Sequence, residues 1–276
     1  PTRLDDNVRD AVVHDLGGML LLPAPAEPHA HLDKAFTADR VPNPTGDLLG
    51  AIEAWIAHRG HLDPTDIAAR AERAALLSLR NGLTAIRTHV DVGPDIDLRA
   101  VEAVLGVRER LAGLLDIQVV PLVASPLTGV EGANQRARLR DALDMGADVV
   151  GGAPYLDPDP VDALEILVTA AADHGVLIDL HTDETLDELV LTLREFAKVV
   201  ARTDGEVSAA ASHCVSLGVQ PEPVQREVAE LVAAAGMSVV TLPQTNLFLQ
   251  SRGVACAPPR GLTALAALRA AGVNVA

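Results

Sequence analysis

Eight short apolar runs, separated by helical patterns, constrain the fold of this 276-residue chain more than any other feature. Each run is rich in Val, Ile and Leu and is bounded by turn residues, as expected of a strand that is buried on both faces. From the second run onward, the runs recur at a nearly constant spacing. They cover residues 18–31, 83–92, 116–125, 147–154, 175–184, 205–213, 237–244 and 272–276.

Amphipathic helical patterns fill the gaps between the runs. In residues 98–115 the apolar side chains fall on one stripe at helical spacing. Asp159 and Pro160 predict the start of another helix, because Asp is a favoured N-cap and Pro is tolerated at the first helical position. Gly175 predicts its end. The other helical patterns cover residues 64–81, 134–145, 186–202, 221–236 and 261–272.

Buried strands that alternate with helices indicate parallel βα units. Eight such strands are the number that closes a (β/α)8 TIM barrel, so we predict an α/β barrel. The alternative is an open, doubly wound sheet. That fold often carries a glycine-rich phosphate loop, and the glycine pairs in "LGGML" and "VGGAP" are too sparse for one.

Composition narrows the classes of partner. The net charge is −16, from 38 acidic and 22 basic residues, which argues against a nucleic-acid or anionic membrane surface. We see no apolar run long enough for a membrane span and no secretory signal. The only cysteines, Cys214 and Cys256, do not form a disulfide framework, and we expect reduced thiols in a cytoplasmic protein.

Histidines gather at the carboxyl ends of the predicted strands, where barrel enzymes place their active sites. His29 and His31, in "EPHAHLDK", are two residues apart, so on a strand their side chains point the same way. Neutral imidazoles are suitable ligands for Zn, Fe and related ions. The other strand-end residues of this kind are His89, Asp91, His181, Glu184 and His213.

The motifs "EPHAHLDK", "RTHVDV", "GADVVGGAP", "IDLHTDE", "ASHCVSLG" and "TNLFLQSRG", in this order and spacing, resemble the amidohydrolase superfamily. The resemblance is greatest to the cytosine deaminase branch, which includes the isopropylammelide aminohydrolases. It implies a (β/α)8 barrel with a small β-sandwich built from both chain ends. We therefore expect residues 1–17 to be a remnant of the N-terminal β-sandwich region. Residues 18–276 would form the hydrolase barrel, truncated at strand eight and lacking most of the sandwich.

The resemblance also implies roles for particular residues. His29, His31 and His181 would be the ligands of one divalent metal ion, Zn or Fe. Glu184 would be the proton-transferring glutamate, and His213 the strand-six histidine that polarises the attacking water. These roles agree with chemistry, because a divalent metal makes water nucleophilic near neutral pH and a positioned carboxylate can move its proton.

Two departures from the family concern the metal. Many superfamily members bridge two metal ions with a carboxylated lysine after strand four, but "GADVVGGAPYLD" contains no lysine. The only lysines are Lys34 and Lys198, so we predict a mononuclear site. The strand-eight aspartate of the family has no counterpart, because the sequence stops at "GVNVA". Both ends look cut, and we expect this chain to be a fragment or a shortened protein.

Other departures concern the substrate. Cytosine deaminases carry a glutamine after strand three, where this chain has Ser125 and Pro126. Tyr155 stands where the branch often has a histidine. Both differences put cytosine itself in doubt, because a site reads a substrate through its donors and acceptors. We predict Ser125, Tyr155 and Gln244 as substrate-binding residues, and Arg87 and His89 as a buried polar layer that braces the site.

The sequence thus predicts a metal-dependent hydrolase of C–N bonds in nitrogen heterocycles, with hydrolytic deamination favoured. The alternatives are a cyclic amide or N-alkyl amine hydrolase of the same superfamily, or a truncated, inactive homologue. The expected partner is a small heterocyclic substrate, without nucleic acid or membrane. Association into a homo-oligomer is also expected if a closing helix is absent, because apolar surface would be left uncovered.

Overall fold

The computed structural model describes residue 12 and residues 14–276, which contain one eight-stranded sheet. All neighbouring strands are parallel and follow chain order. This arrangement confirms the predicted α/β barrel class. The strands are β1 (Ala26–Ala30), β2 (Ala85–Val92), β3 (Asp116–Val123), β4 (Val149–Gly152), β5 (Leu177–Thr182), β6 (Ala209–His213), β7 (Ser238–Val240) and β8 (Asn274–Val275).

Helices follow the strands as the sequence pattern predicts. The helix that opens at Asp159 and Pro160 is capped by the Asp159 carboxylate, which accepts a hydrogen bond from the Asp162 backbone N–H, and it ends at Gly175 in the left-handed conformation. The helices are α1 (Leu48–Arg59), α2 (Pro64–Arg80), α3 (Arg99–Arg110), α4 (Ala133–Asp144), α5 (Pro160–His174), α6 (Thr192–Ala201), α7 (Glu222–Ala234), α8 (Pro243–Leu249) and α9 (Leu265–Ala270). None of these helices is both long and apolar enough to cross a bilayer.

The sheet curls so that side chains of distant strands meet inside it. Ser212 of β6 lies 2.9 Å from His29 of β1, measured from Oγ to Nδ1. Arg87 of β2 reaches Asp179 of β5 at 2.8 Å. Strands β7 and β8 are only three and two residues long. Within the described residues, no backbone pairing joins β8 to β1, so the two edges of the curled sheet are unpaired.

The core is aliphatic, as the low aromatic content of 2 % requires. Ala, Val, Leu and Ile from both sheet and helices form one buried cluster, in which Phe196 is the largest fully buried side chain. Gly151 on β4 permits close packing, because a Cβ there would lie 2.5 Å from Val120 Cγ1 and 2.8 Å from the Pro121 carbonyl oxygen. Because Gly151 has no side chain, β4 packs closely against β3.

The beginning of the first predicted strand is wrong. Strand β1 begins at Ala26 rather than at residue 18, and the side chains of 19–22 are 68–82 % exposed. Pro23 and Pro25 have no backbone N–H and cannot donate to a strand ladder, so pairing begins after them. Of the segment 1–17 expected to be a sandwich remnant, residues 1–11 and 13 lie outside the described part of the chain.

Candidate metal centre

Five imidazoles converge at the carboxyl ends of four strands. His29 belongs to β1 and His31 follows it directly, while the others come from β2, β5 and β6. Their ring centroids lie 4.1–5.7 Å apart in the closest pairs. The strand-end histidines picked out in the sequence therefore share one place. They are His29, His31, His89, His181 and His213.

Three of these residues, His29, His31 and His181, fit a metal ion. One nitrogen from each lies within 4.8 Å of the other two, and the Nε2 atoms of His31 and His181 are 3.2 Å apart. Ligand atoms about 2.0–2.1 Å from a tetrahedral zinc ion are themselves roughly 3.3 Å apart. Burial, reinforced by neighbouring positive groups, lowers the pKa of all three imidazoles well below its usual value, so they are neutral at pH 7. Neutral imidazole is the ligating form.

A hydrogen-bonded chain, here called the Asp179 network, fixes the orientation of His29. Ser212 Oγ donates to Asp179 Oδ1 at 3.0 Å, and Arg87 donates to Asp179 Oδ2 at 2.8 Å. Because the Ser212 hydroxyl proton is used on Asp179, its oxygen accepts from His29 Nδ1. His29 Nε2, buried and without a hydrogen-bond partner in the described residues, is then left with a free lone pair. Such outer contacts commonly set the tautomer of metal-binding histidines.

His89 lies beneath the trio rather than within it. Its ring is fully buried and stacks on His29 at 4.1 Å. His89, His29 and Asp179 also have donor atoms within 4.8 Å of one another, but both oxygens of Asp179 already accept hydrogen bonds from Ser212 and Arg87. Burial lowers the pKa of His89 to about 4, against the opposing charge of Asp179. His89 is therefore buried as the sequence predicts, whereas Arg87 is only partly buried, with its side chain 22 % exposed.

Glu184 and His213 stand beside each other. His213 Nδ1 lies 3.2 Å from Glu184 Oε1 and 3.2 Å from Asn246 Oδ1. Burial raises the pKa of Glu184 to about 8, although the positive charge of Lys34 opposes this. Burial lowers the pKa of His213 to about 4. A carboxyl group whose pKa lies near neutrality is suited to both accept and release a proton.

An unusual backbone conformation places these two residues. Asp183, which precedes Glu184, has a φ of 51°, and His213 has a φ of 72°. Residues other than glycine adopt this left-handed region at a cost, and they do so mainly where surrounding contacts enforce it. Here the Asp183 carboxylate accepts hydrogen bonds from the backbone N–H groups of Thr192 and Leu193, at 3.0 and 2.9 Å. This cap also explains why α6 begins at Thr192 rather than at the predicted residue 186.

A second group of charges, here called the Lys34 network, lies beside His31. Lys34 Nζ is 2.7 Å from Asp91 Oδ1 and 3.4 Å from His31 Nδ1. The other Asp91 oxygen accepts from Arg59 Nη1 at 3.0 Å and from Trp55 Nε1 at 2.6 Å. Burial alone would lower the pKa of Lys34, but the carboxylates of Asp91 and Asp33 outweigh it and raise the pKa, so the side chain is an ammonium ion.

The three predicted substrate-binding residues differ in position. Ser125 follows β3 and is half-buried. Tyr155 follows β4 in a short 3-10 turn, and burial, together with the charges of Glu184 and Asp183, raises the pKa of its phenol. Gln244 is exposed on helix α8, past the end of β7. A role in substrate binding stays a prediction for all three.

Sequence reasoning missed the residues that support the histidines. Asp179 had a signal, because it lies two residues before His181 on β5 and so points to the same face. Ser212 had none, since a single serine next to a histidine is common. Trp55 and Asn246 lie on helices α1 and α8, and no periodic pattern links them to a strand end.

The chain is similar in sequence and fold to several known proteins. The chain is 35 % identical over 264 residues to the pterin deaminase of Rhizobium rhizogenes, covering 95 % of this chain and 60 % of that protein. It resembles the crystal structure of 5-methylcytosine deaminase from Klebsiella pneumoniae, with 33 % identity and a TM-score of 0.82, covering 91 % of this chain and 61 % of that one. The isopropylammelide isopropylaminohydrolase structure from Burkholderia multivorans matches at 31 % identity and a TM-score of 0.69, covering 91 % of this chain and 60 % of that chain.

The chain thus spans about three fifths of the length of these relatives, 60 to 61 %. The sequence profile described as "Amidohydrolase family" matches residues 61–276, which include His89, His181, Glu184 and His213. The match with the pterin deaminase covers 95 % of the chain. The chain belongs to the amidohydrolase family.

Proposed function

We propose that this chain is the catalytic part of a metal-dependent hydrolase that deaminates a nitrogen heterocycle. The observation that carries the proposal is the meeting of three imidazole nitrogens within 4.8 Å of one another, on the barrel end where the buried pair Glu184 and His213 also lies. Ligand atoms together with a proton carrier are what hydrolysis of a C–N bond requires. Residues 18–276 would form this barrel, and 1–17 would belong to the N-terminal sandwich.

His29, His31 and His181 would hold one divalent ion, Zn or Fe. When bound, the ion supplies the Lewis acidity that brings the pKa of water toward neutrality. The donor set suits either metal, because neutral imidazole binds both. Both cysteines are free thiols, Cys214 buried and Cys256 exposed, which supports the proposed cytoplasmic location.

The proton steps fall to the chain's own residues. Glu184 would take a proton from the attacking water and deliver it to the departing nitrogen, and its pKa of about 8 suits both transfers near neutral pH. His213 donates from Nδ1 toward Asn246 Oδ1, so its Nε2 is an acceptor, buried and without a partner in the described residues. That nitrogen would hold the water in position by accepting one of its protons in a hydrogen bond.

The names of the relatives suggest the substrate class. The proteins reported above are named for pterin, 5-methylcytosine and N-isopropylammelide, all small nitrogen heterocycles. The first two are named deaminases, which supports release of ammonia. Hydrolysis of an N-alkyl amine is the second candidate, because relatives named for N-isopropylammelide are 29 and 31 % identical to this chain.

A reconstitution experiment tests the proposal. The protein is stripped with a chelator, reloaded with Zn(II) or Fe(II), and incubated with pterin, 5-methylcytosine or N-isopropylammelide. We expect ammonia from at least one aminoheterocycle, and loss of turnover by a factor of about 100 or more in Glu184→Gln. Isopropylamine instead of ammonia would favour the second candidate. Failure to bind either metal, with no amine released, would contradict the proposal.

A further inference from the structure

We propose that Lys34 is a specificity-determining residue that donates a hydrogen bond to an oxygen on the substrate ring. The preferred substrates would then be oxo-substituted aminoheterocycles. This inference rests on the proposed function and names the substrate class of that same site. It depends on how many donors the Lys34 ammonium carries and where each of them is used.

The donor count leaves Lys34 short of acceptors. An ammonium group has three N–H donors. One is used on Asp91 Oδ1 at 2.7 Å, and a second faces His31 Nδ1 at 3.4 Å. The third has no partner among the residues that the structure describes. The Lys34 side chain is 27 % exposed, whereas those of Asp91 and Arg59 are 5 and 8 % exposed. Lys34 is therefore the member of this network that solvent, and hence a substrate, can reach.

The contact with His31 weakens once His31 acts as a ligand. If Nε2 of His31 holds the metal, Nδ1 of the same neutral ring carries the proton. Two donors would then face each other across 3.4 Å. In that state, one of the three Lys34 donors has an acceptor among residues 14–276, namely Asp91 Oδ1. An acceptor atom on the substrate would form a hydrogen bond with one of the remaining Lys34 N–H donors.

The ammonium group is also held in place. Asp91 binds it through Oδ1, while its Oδ2 is fixed by Arg59 and Trp55. Lys34 Nζ lies 5.6 Å from the centre of the Trp55 ring, within range of a cation–π contact. A donor that is rigid before binding loses little entropy on binding, so its hydrogen bond discriminates strongly between ligands.

The acceptor lies on the ring that reacts. Lys34 Nζ is 3.4 Å from a ring nitrogen of His31, so an atom it binds belongs to the same small molecule as the carbon under attack. An oxo group on the ring suits this donor, because its oxygen has two lone pairs and a hydrogen bond from a charged donor is roughly twice as strong as a neutral one. The surrounding protein is acidic, with a net charge of −16, and the chain has only one other lysine.

Binding of a matched pair of ligands tests this role. Pterin carries an oxo group on its ring, and 2-aminopteridine has the same skeleton and amine without that group. Dissociation constants of both are measured by titration calorimetry with the zinc-loaded chain, for the wild type, Lys34→Met and Lys34→Arg, each carrying Glu184→Gln so that the ligands are not hydrolysed during the titration. Lys198→Met is the matched control, because Lys198 is exposed and pairs with Glu195 on α6. Circular dichroism and bound zinc confirm that each variant is folded and loaded.

We expect the wild type and Lys198→Met to prefer pterin by roughly 10- to 100-fold, the range of a hydrogen bond to a charged group. Lys34→Met should lose this preference by binding pterin more weakly while 2-aminopteridine is unaffected, and Lys34→Arg should keep part of it. Equal weakening of both ligands, or a preference that survives in Lys34→Met, would overturn the role of Lys34 and leave the proposed function standing. If wild-type protein bound neither ligand, the proposed substrate class would fall as well.

Discussion

The two networks beside the histidine cluster are built from similar parts and differ in how complete they are. In each, a carboxylate from a central strand accepts from an arginine, Asp179 from Arg87 at 2.8 Å and Asp91 from Arg59 at 3.0 Å. The Asp179 network ends on His29 through the Ser212 hydroxyl. The Lys34 network ends beside His31 on an ammonium group.

Within the described residues, the two networks differ in whether a hydrogen-bond donor is left without an acceptor. Both oxygens of Asp179 accept hydrogen bonds, and its side chain is 0 % exposed. The Asp179 network can therefore position the residues that it contacts, but it offers no group to a substrate. Lys34 keeps one N–H donor that has no partner among the described residues, and its side chain is 27 % exposed. The two networks also act in opposite directions on imidazole charge, because Asp179 raises the pKa of His89 whereas Lys34 lowers that of His31. We infer that one network orients a ligand and the other faces the substrate.

The largest effect on stability should come from a change of pH, because the imidazoles between the two networks gain protons as the pH falls. Their pKa values lie below the usual 6.5, at about 4 for His89 and His213, so the folded state binds fewer protons than the unfolded state on the acid side. Glu184, whose pKa is raised to about 8, titrates in the opposite direction, so the effect of the imidazoles is measured in Glu184→Gln. For this metal-free variant we expect the free energy of unfolding to fall by about 3 kcal/mol or more between pH 6.5 and 5, the contribution of His89 and His213 alone. Urea titration across this range measures it.

The alkaline side should show the opposite dependence. Glu184 has a raised pKa of about 8, so the folded state binds more protons than the unfolded state between pH 4.5 and 8. The imidazoles are common to the wild type and Glu184→Gln, so their contribution cancels in the difference between the two chains. The unfolding free energy of the wild type, relative to that of Glu184→Gln, should therefore decline by about 1–2 kcal/mol as the pH rises from 6.5 to 8. A difference that grows over this range would contradict this.

Removing the carboxylate of the closed network should be the most damaging substitution. Asp179→Ala leaves the Arg87 guanidinium, which is 22 % exposed, without its carboxylate partner, so that only the neutral Gln118 Oε1 still accepts from it. We expect a loss of about 3–5 kcal/mol of unfolding free energy, as for other broken buried pairs. The control is Glu72→Ala, which removes an exposed partner of Arg110, also at 2.8 Å, and should cost about 1 kcal/mol or less. Equal losses of unfolding free energy in the two variants would show that the Asp179 network stabilises the fold no more than an exposed ion pair does.

Metal affinity should separate the networks directly. Ser212→Ala removes the acceptor of His29 Nδ1, and we expect zinc to bind about 10- to 100-fold more weakly, the usual cost of losing such a contact. Lys34→Met removes a positive charge from the same region, so it should leave zinc affinity unchanged or raise it. Competition with a chromophoric chelator measures both. Ser78→Ala on α2 makes the same chemical change away from the site and should have no effect.

The smallest effect concerns the support of Lys34. Trp55→Phe removes the indole N–H that donates to Asp91 Oδ2 at 2.6 Å. We expect a loss of about 1–2 kcal/mol of unfolding free energy with unchanged zinc affinity. Because Trp55 is the only tryptophan, urea unfolding of this variant is followed by circular dichroism. A large loss of zinc affinity would mean that the Lys34 network also orients a ligand.

Much of this architecture could be predicted from the sequence. The apolar runs located all eight strands, and Asp159, Pro160 and Gly175 marked the ends of α5 correctly. Local chemistry decides those features, through strand burial and helix capping. The run at 19–22 failed because apolar character alone does not show what a segment packs against, and Pro23 and Pro25 kept it out of the sheet.

The sequence by itself determined that His29, His31 and His181 lie at strand ends, because alternation along a strand and the βα repeat follow from the order of residues. Tertiary structure alone decided that Ser212, 183 positions from His29, would accept a hydrogen bond from it, and that Trp55 on a helix would donate one to Asp91 on a strand. Such contacts arise when the sheet curls, and curling is a property of all the strands packed together. For that reason the candidate ligands could be predicted and the residues that orient them could not.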